Sequence, residues 1–452
     1  MVTDDDVDGG GALVTARGWT YACPRGYVMT KVASLSLLVA WMLPACGGDN
    51  APAGEILSDK SRIPDPTVTS DDATQLATDN LAFGVDLYGQ LRAKNPGNFI
   101  FSQTSISLAL AMLYGGAANN TAAQMATALH FSLPPERLHP AFNALDLALA
   151  APPSAADANA FQLNIASSMW VQTGFAFLPS YLDLLAENYG AGLFVEDFRT
   201  AYETARADIN NWVSSHTQKM IPELFAQGTI GPATRLVLAN AVYFHGAWRD
   251  GFNPTSPNGI FHAPTGDVSV PMMSSSHANA GLQQGIGWNA AIMGYAGDTT
   301  SMILLVPDAG TFDAFEQALT ADGLTTMLTS TYPQQGIVTM PRFGFSTSSS
   351  LNSVLAALGM TDAFDPSSAD LSGMNAARNL WVDDVIHKAV IAVDENGTTA
   401  AAATGTTVGI VLVILPAPTP LVVDRPFLFF IRHNPTGAIL FQGRVVDPAQ
   451  VQ

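Results

Sequence analysis

From Gly397 to Leu415 the chain carries no charged residue and no proline. Asp394 and Glu395 precede this run, the Pro-rich exit PAPTP follows at 416–420, and the next charge is Asp424. Four consecutive alanines and five threonines lead into valine, isoleucine and leucine. Nothing here would block a hydrogen-bond ladder or force burial of a charge, so the segment can become a central β-strand. Yet it leaves a strand-like run, Lys388–Val393, and enters a Pro-rich turn, which is the position of an exposed loop. A loop with the composition of a buried strand is a loop equipped to move.

The length, 452 residues, would on average suit about three domains. No long low-complexity linker divides the chain, however. Hydrophobic residues make up 48% and charged residues 13%, ample for a large core and opposite to a disordered composition. Lys plus Arg number 19 against 38 Asp plus Glu, a net charge of −19. That balance argues against nucleic acid as a partner.

Both cysteines, Cys23 and Cys46, precede residue 50, so no disulfide framework is expected. Met29-Thr30-Lys31 opens a short basic region, followed by the apolar run Val32 to Leu43 and then Pro44-Ala45-Cys46-Gly47. This order reads as an export signal, too short for a standing transmembrane helix. Its Leu-x-Ala-Cys end resembles a bacterial lipoprotein cleavage box, in which Cys46 would be lipidated; plain secretion is the alternative. The expected organisation is an upstream extension at 1–28, a signal at 29–46, a flexible tether at 47–70 and a folded domain at 71–450. Export to the outer membrane or cell surface, or release outside the cell, follows as an expectation.

Ser70-Asp71-Asp72 reads as the cap of a helix with apolar residues at helical spacing from Ala73 to Leu91. Ser105–Leu113, Thr121–Leu129, Ala201–Val213 and Leu351–Leu358 read as further helices. Strand-like runs are Leu236–Phe244, Met302–Val306, Ile337–Met340, Ala389–Val393, Phe427–Ile431 and Ala438–Val446. Helices early and strands late predict an α+β fold. Motifs for a nucleophile elbow, a His-Glu-x-x-His zinc site and a phosphate-binding loop are absent, so an ordinary hydrolase or metalloenzyme is not expected. His245 and His262 read as strand or surface residues, and neither a metal nor a cofactor is expected.

Six segments in order make the chain resemble a serpin from about residue 71 to 449. These are Asn98–Ile106, Ile209–Val213, Thr234–Phe244, Trp248 with Phe252, Pro271–Met273 and Leu421–Ile431. The resemblance implies the serpin fold, about nine helices around three β-sheets, with an exposed, insertable reactive loop at about 395–420. It implies an inhibitor rather than an enzyme. A serine protease cleaves the loop and is held as a covalent acyl complex, while the freed loop enters the large sheet. About 13 inserted residues at ~3.3 Å each make a strand on the order of 40 Å.

Residue by residue, the resemblance assigns the hinge to Glu395, Gly397, Thr398, Thr399, Ala400, Ala401, Ala402 and Ala403. The side chains that would face inward are Thr398, Ala400, Ala402, Thr404, Thr406 and Val408, all small or apolar. Ser102, Ser105, Asn240 and His387 match the polar cluster, called the shutter, beneath the point where the sheet opens. Trp248 and Arg342, the latter paired with Glu395, match the entry at the top of the sheet. Counting forward from the hinge places the reactive bond at Val411–Leu412. Counting back from Pro426 shifts it to the Ile414-Leu415 end, at Leu415–Pro416. Either bait is aliphatic, which suits elastase-like or subtilisin-like proteases and excludes trypsin-like ones.

Three departures stand out. Gln103 replaces a usual proline, so the local helix entry is expected to differ. Gln218-Lys219-Met220 lacks the usual Gly-Lys, with no expected consequence. The region Leu133–Ala150 holds one Arg and no Lys, so heparin-like activation is not expected. The expected protein is a monomer that meets a membrane only through a lipid anchor. Its alternatives are a non-inhibitory serpin with a binding or structural role, or an inhibitor of cysteine proteases.

Overall fold

Strand-forming runs late in the chain are too apolar to stand at a surface, and they pair into three sheets. The computed structural model describes residues 54–151, 161–275, 279–330, 332–398 and 419–450. The first sheet has seven strands, in the order β1 (Glu55–Ile56), β4 (Leu193–Glu196), β3 (Phe161–Gln172), β5 (Leu236–Ala247), β16 (Gly397–Thr398), β15 (Asp384–Asp394) and β14 (Phe343–Ser350). The second has ten. Its path runs β2 (Phe99–Phe101), β19 (Ile439–Val445), β18 (Phe427–His433), β12 (Thr300–Pro307), β11 (Trp288–Gly294), β10 (Ala280–Gly285), β13 (Gln334–Pro341), β9 (Met272–Ser275) and β6 (Phe252–Pro254). Off this path, β17 (Thr419–Val422) lies parallel to β13, and β7 (Gly259–Ala263) with β8 (Gly266–Val270) forms a separate hairpin.

Ten α-helices occur among the described residues, against about nine expected. They are α1 (Ser70–Lys94), α2 (Gln103–Tyr114), α3 (Asn119–Ala128), α4 (Pro135–Ala150), α5 (Pro179–Tyr189), α6 (Phe198–His216), α7 (Phe312–Gln317), α8 (Ala321–Thr329), α9 (Asn352–Ala357) and α10 (Ser372–Asn375). None is long and apolar enough to cross a membrane. The α1 cap lies one residue earlier than the sequence suggested: the Thr69 side chain accepts from the Asp72 N–H.

Strand β5 is buried from end to end. One face packs against α6 through Val237 and Ala239 with Ile209 and Val213. The other joins the main core through Leu236, Leu238 and Val242. Burying each of these valine, leucine and isoleucine side chains stabilises the fold by about 1.5–3 kcal/mol. The seven-stranded sheet is thus held between two layers, with no side of β5 free to pair with solvent.

The segment read as a flexible tether is, from Gly54 onward, held against the domain. Glu55 and Ile56 extend the sheet by pairing with β4. Beyond them, the Ile63 N–H donates to Glu187 O at 2.9 Å and Arg62 Nε to Asn143 Oδ1 at 2.8 Å. Arg62 also reaches Asp146 at 2.7 Å. Its polar, Pro-rich composition hides this because backbone groups make much of the attachment. Residues 1–53, with Cys46, lie outside the described residues.

Of the departures, Gln103 leaves the helix entry in place. Ser102 caps α2 by accepting from the Ser105 N–H, and Gln103 is the first helical residue. Its side-chain amide is buried with no hydrogen-bond partner among the described residues, packed where Gly84 leaves room. The missing Gly-Lys does have a consequence: Gln218 and Lys219 take left-handed φ of 52° and 65°, a region a glycine would occupy without steric cost. The one Arg of α4, Arg137, is paired with Asp72.

Candidate functional site: the fork in the seven-stranded sheet

Two long strands, β5 and β15, run parallel and pair directly from Asp384 opposite Val237 to Val390 opposite Tyr243. Above that point they part. The two-residue strand β16 fills the fork: Gly397 faces Ala247 and Asp394, and Thr398 faces Gly246 and Val393. Glycine is required at 397, because its φ is 146° and an added Cβ would sit 2.0 Å from Gly246 O. Thr398 is fully buried.

The turn leading into β16 is fixed on every carbonyl. Trp248 Nε1 donates to Asp394 O at 2.8 Å, and the Trp248 N–H donates to Asn396 O at 3.0 Å. The Phe252 N–H donates to Glu395 O at 3.1 Å. Arg342 donates to Glu395 Oε1 from both Nε, at 2.8 Å, and Nη2, at 2.6 Å. A lone exposed pair would contribute little. Here the Glu395 side chain is only 13% exposed, so the fork-shaped contact aligns the turn as well as neutralising it. Trp248, Arg342, Glu395, Gly397 and Thr398 are therefore gathered at one end of the sheet.

Lower down, where β5 and β15 pair directly, lies the second polar group. Asn240 Nδ2 donates to Ser105 O at 3.0 Å, to Ser105 Oγ at 2.6 Å and to Ser167 Oγ at 2.7 Å. The Ser102 N–H donates to His387 Nε2 at 3.1 Å. Because Nε2 accepts, the proton sits on Nδ1, which donates to Asn240 Oδ1 at 2.5 Å. Burial lowers the His387 pKa to about 3, so the ring is neutral. The cluster joins the N-terminus of α2 to three strands, β3, β5 and β15. It is a network buried except at Ser167, which is half-buried, and its rearrangement is required before the two strands can separate.

Two of these residues carried no signal in the sequence. Ser167 lies opposite Asn240 on β3, and a single serine in a strand says nothing of its partner. Tyr295, just beyond β11, stacks on Trp248 and bonds the Thr398 hydroxyl at 2.8 Å. Only the fold brings it there. His245 lies buried in β5, and His262 is exposed on β7, bonded to Asp267. Among the described residues no group of three or more His, Cys, Asp or Glu could hold a metal. Thr399, Ala400–Ala403, Val411, Leu412, Ile414 and Leu415 fall outside the described residues.

Residues 78–448 match the family model of serpins (serine protease inhibitors). The chain is 37% identical over 393 residues to the human (Homo sapiens) leukocyte elastase inhibitor, covering 83% of this chain and 100% of that one. The pig (Sus scrofa) leukocyte elastase inhibitor is 38% identical over 390 residues, with the same coverage. Among solved structures, tengpin, a thermophilic serpin in the native state, matches with a TM-score of 0.75 and 26% identity, over 88% of this chain and 100% of that one. Uncleaved ovalbumin matches with a TM-score of 0.72 and 27% identity, over 82% and 100%.

Proposed function

Because the chain belongs to the serpin family, we propose that it inhibits serine proteases as a suicide substrate whose cleaved loop enters the seven-stranded sheet. One observation carries the reading: β16 already occupies the fork between β5 and β15. Each further step along the loop is one step back along β5. Continued in that register, residue 408 falls opposite Leu236, the first residue of the strand. The charge-free run from Gly397 to Val408 thus matches the length of β5 residue for residue. On the way, Thr404 would arrive opposite both Asn240 and His387, so insertion must break the bond between them.

The chemistry is that of ordinary proteolysis, interrupted. The protease serine attacks the carbonyl of Val411, the Val411–Leu412 bond breaks, and Leu412 leaves with the new amino terminus. The ester to Val411 persists because insertion carries the protease away before water attacks. Relatives that are leukocyte elastase inhibitors accord with an aliphatic bait, as do the small apolar pockets of elastase-like and subtilisin-like proteases. Export through residues 29–46, with lipidation at Cys46 and attachment to an outer membrane or cell surface, belongs to the same proposal.

The test is to mix the protein with an elastase-like protease and run a denaturing gel. A covalent band is expected, with a released peptide beginning at Leu412. Cleaved protein alone, with every apolar-specific serine protease tried, would remove the inhibitory reading in favour of a non-inhibitory member. A peptide beginning at Pro416 would move the bond to Leu415.

A further inference from the structure

Thr398 is not merely near the fork; it is held there by a side chain the insertion mechanism does not name. We infer that Tyr295 is a positioning residue that latches Thr398 into the sheet before any protease cuts the loop. Its role in inhibition rests on the reading above, while the latch itself belongs to the uncleaved chain.

The seat is built from several elements. Tyr295 is fixed by its own backbone: its N–H donates to Thr300 O at 3.0 Å, and the next N–H, of Ala296, donates to Ala247 O at 2.8 Å. Its ring lies flat on Trp248, 4.6 Å between centroids at 8°, and edge-on to Phe244, 5.1 Å at 76°. The ring is fully buried, and its hydroxyl points at Thr398 Oγ1 across 2.8 Å. Gly246 makes the approach possible, since a Cβ there would meet Tyr295 Cδ1 at 2.9 Å and Phe244 Cζ at 2.7 Å. Trp248 therefore holds the turn through Asp394 and Asn396 while supporting the ring that holds Thr398.

The seat is selective. It offers one hydroxyl to one short polar side chain, and without that partner a buried phenol would be left unsatisfied. Serine would fit, valine would fill the space but orphan the hydroxyl, and a longer side chain would not enter. Because the bond exists before cleavage, insertion starts from residue 399 rather than from 398. Tyr295 thus defines where the moving part of the loop begins.

Hydrogen exchange of the peptide containing residues 394–398, measured on the full uncleaved chain, tests this without a protease. The peptide should be protected in the starting protein. Tyr295→Phe and Thr398→Val should each speed its exchange about fivefold, as expected for loss of one hydrogen bond. The double variant should exchange no faster than either single one, and peptides around Asn240 should not change. Fast exchange in the starting protein overturns the latch, as does additivity of the two substitutions. An equal rise throughout β5 would make Tyr295 a packing residue only, which also overturns it. If the latch stands but no protease is trapped, the inhibitory reading fails and the latch survives.

Discussion

Thr398→Arg should turn the protein from an inhibitor into a substrate: cleaved at the bait, but releasing active protease. Thr398 is fully buried between Gly246 and Val393, with its hydroxyl on Tyr295. An arginine there must either bury a guanidinium without a carboxylate partner, which costs several kcal/mol, or leave the fork. It takes the second course, and the loop then has to insert against that cost after cleavage. Hydrolysis of the ester wins the race. The number of inhibitor molecules consumed per protease should rise by at least about tenfold, since about 1.4 kcal/mol already changes a rate ratio by that factor. Thr398→Ser, which keeps the hydroxyl, should trap normally. Undiminished trapping by the arginine variant would show that residue 398 does not enter the sheet.

The second large effect is on stability in acid. The His387 pKa is about 3 in the folded chain and near 6.5 when exposed, so between these values the unfolded state binds more protons. This contribution is therefore complete above about pH 6.5 and falls as the pH drops toward 3. His139 acts in the same direction, because burial lowers its pKa to about 4. Glu196 opposes them: burial raises its pKa to about 7, so the folded state binds the extra proton between about pH 7 and 4.5. Denaturant titrations should therefore show maximum stability near neutral pH and a steady loss, roughly one proton's worth or about 1.4 kcal/mol per pH unit, from about pH 6 down to about pH 3. Each pKa unit is about 1.36 kcal/mol, so the histidine contribution amounts to several kcal/mol. His387→Gln should flatten the profile below pH 6.5. An unchanged slope would mean that burial does not hold the His387 ring neutral in the folded chain.

Much of this arrangement was legible in the chain because its requirements are compositional. A loop that must become a strand cannot hide its lack of charge, and glycine at 397 follows from a backbone that admits no side chain. The central strands were visible as apolar runs, since a strand buried on both faces needs no alternation. Ser102, Ser105, Asn240 and His387, distant in sequence, came through the resemblance; no spacing rule joins Ser105 to His387. What escaped the sequence depends on three-dimensional proximity alone. Tyr295 reaches Thr398 across more than a hundred residues, supported by ring stacking that leaves no pattern. The segment at 54–63 resembles a linker because backbone pairing with β4 demands no particular side chain. Gln218 and Lys219 show the reverse case, where residues with side chains take left-handed backbone angles that their identity does not announce.

Once cut, the loop should become a strand between β5 and β15. Melting of the protein before and after cleavage of residues 409–415 tests it most directly, using any protease that cuts the bait and is then removed. Adding residues 399–408 to the two of β16 already in the sheet should raise the melting temperature by roughly 20 °C or more, given about 2–4 °C for each kcal/mol in chains of 150–250 residues and less in a larger one. Cleaved and intact protein melting at the same temperature would contradict insertion, however well the rest of the fold matches its family.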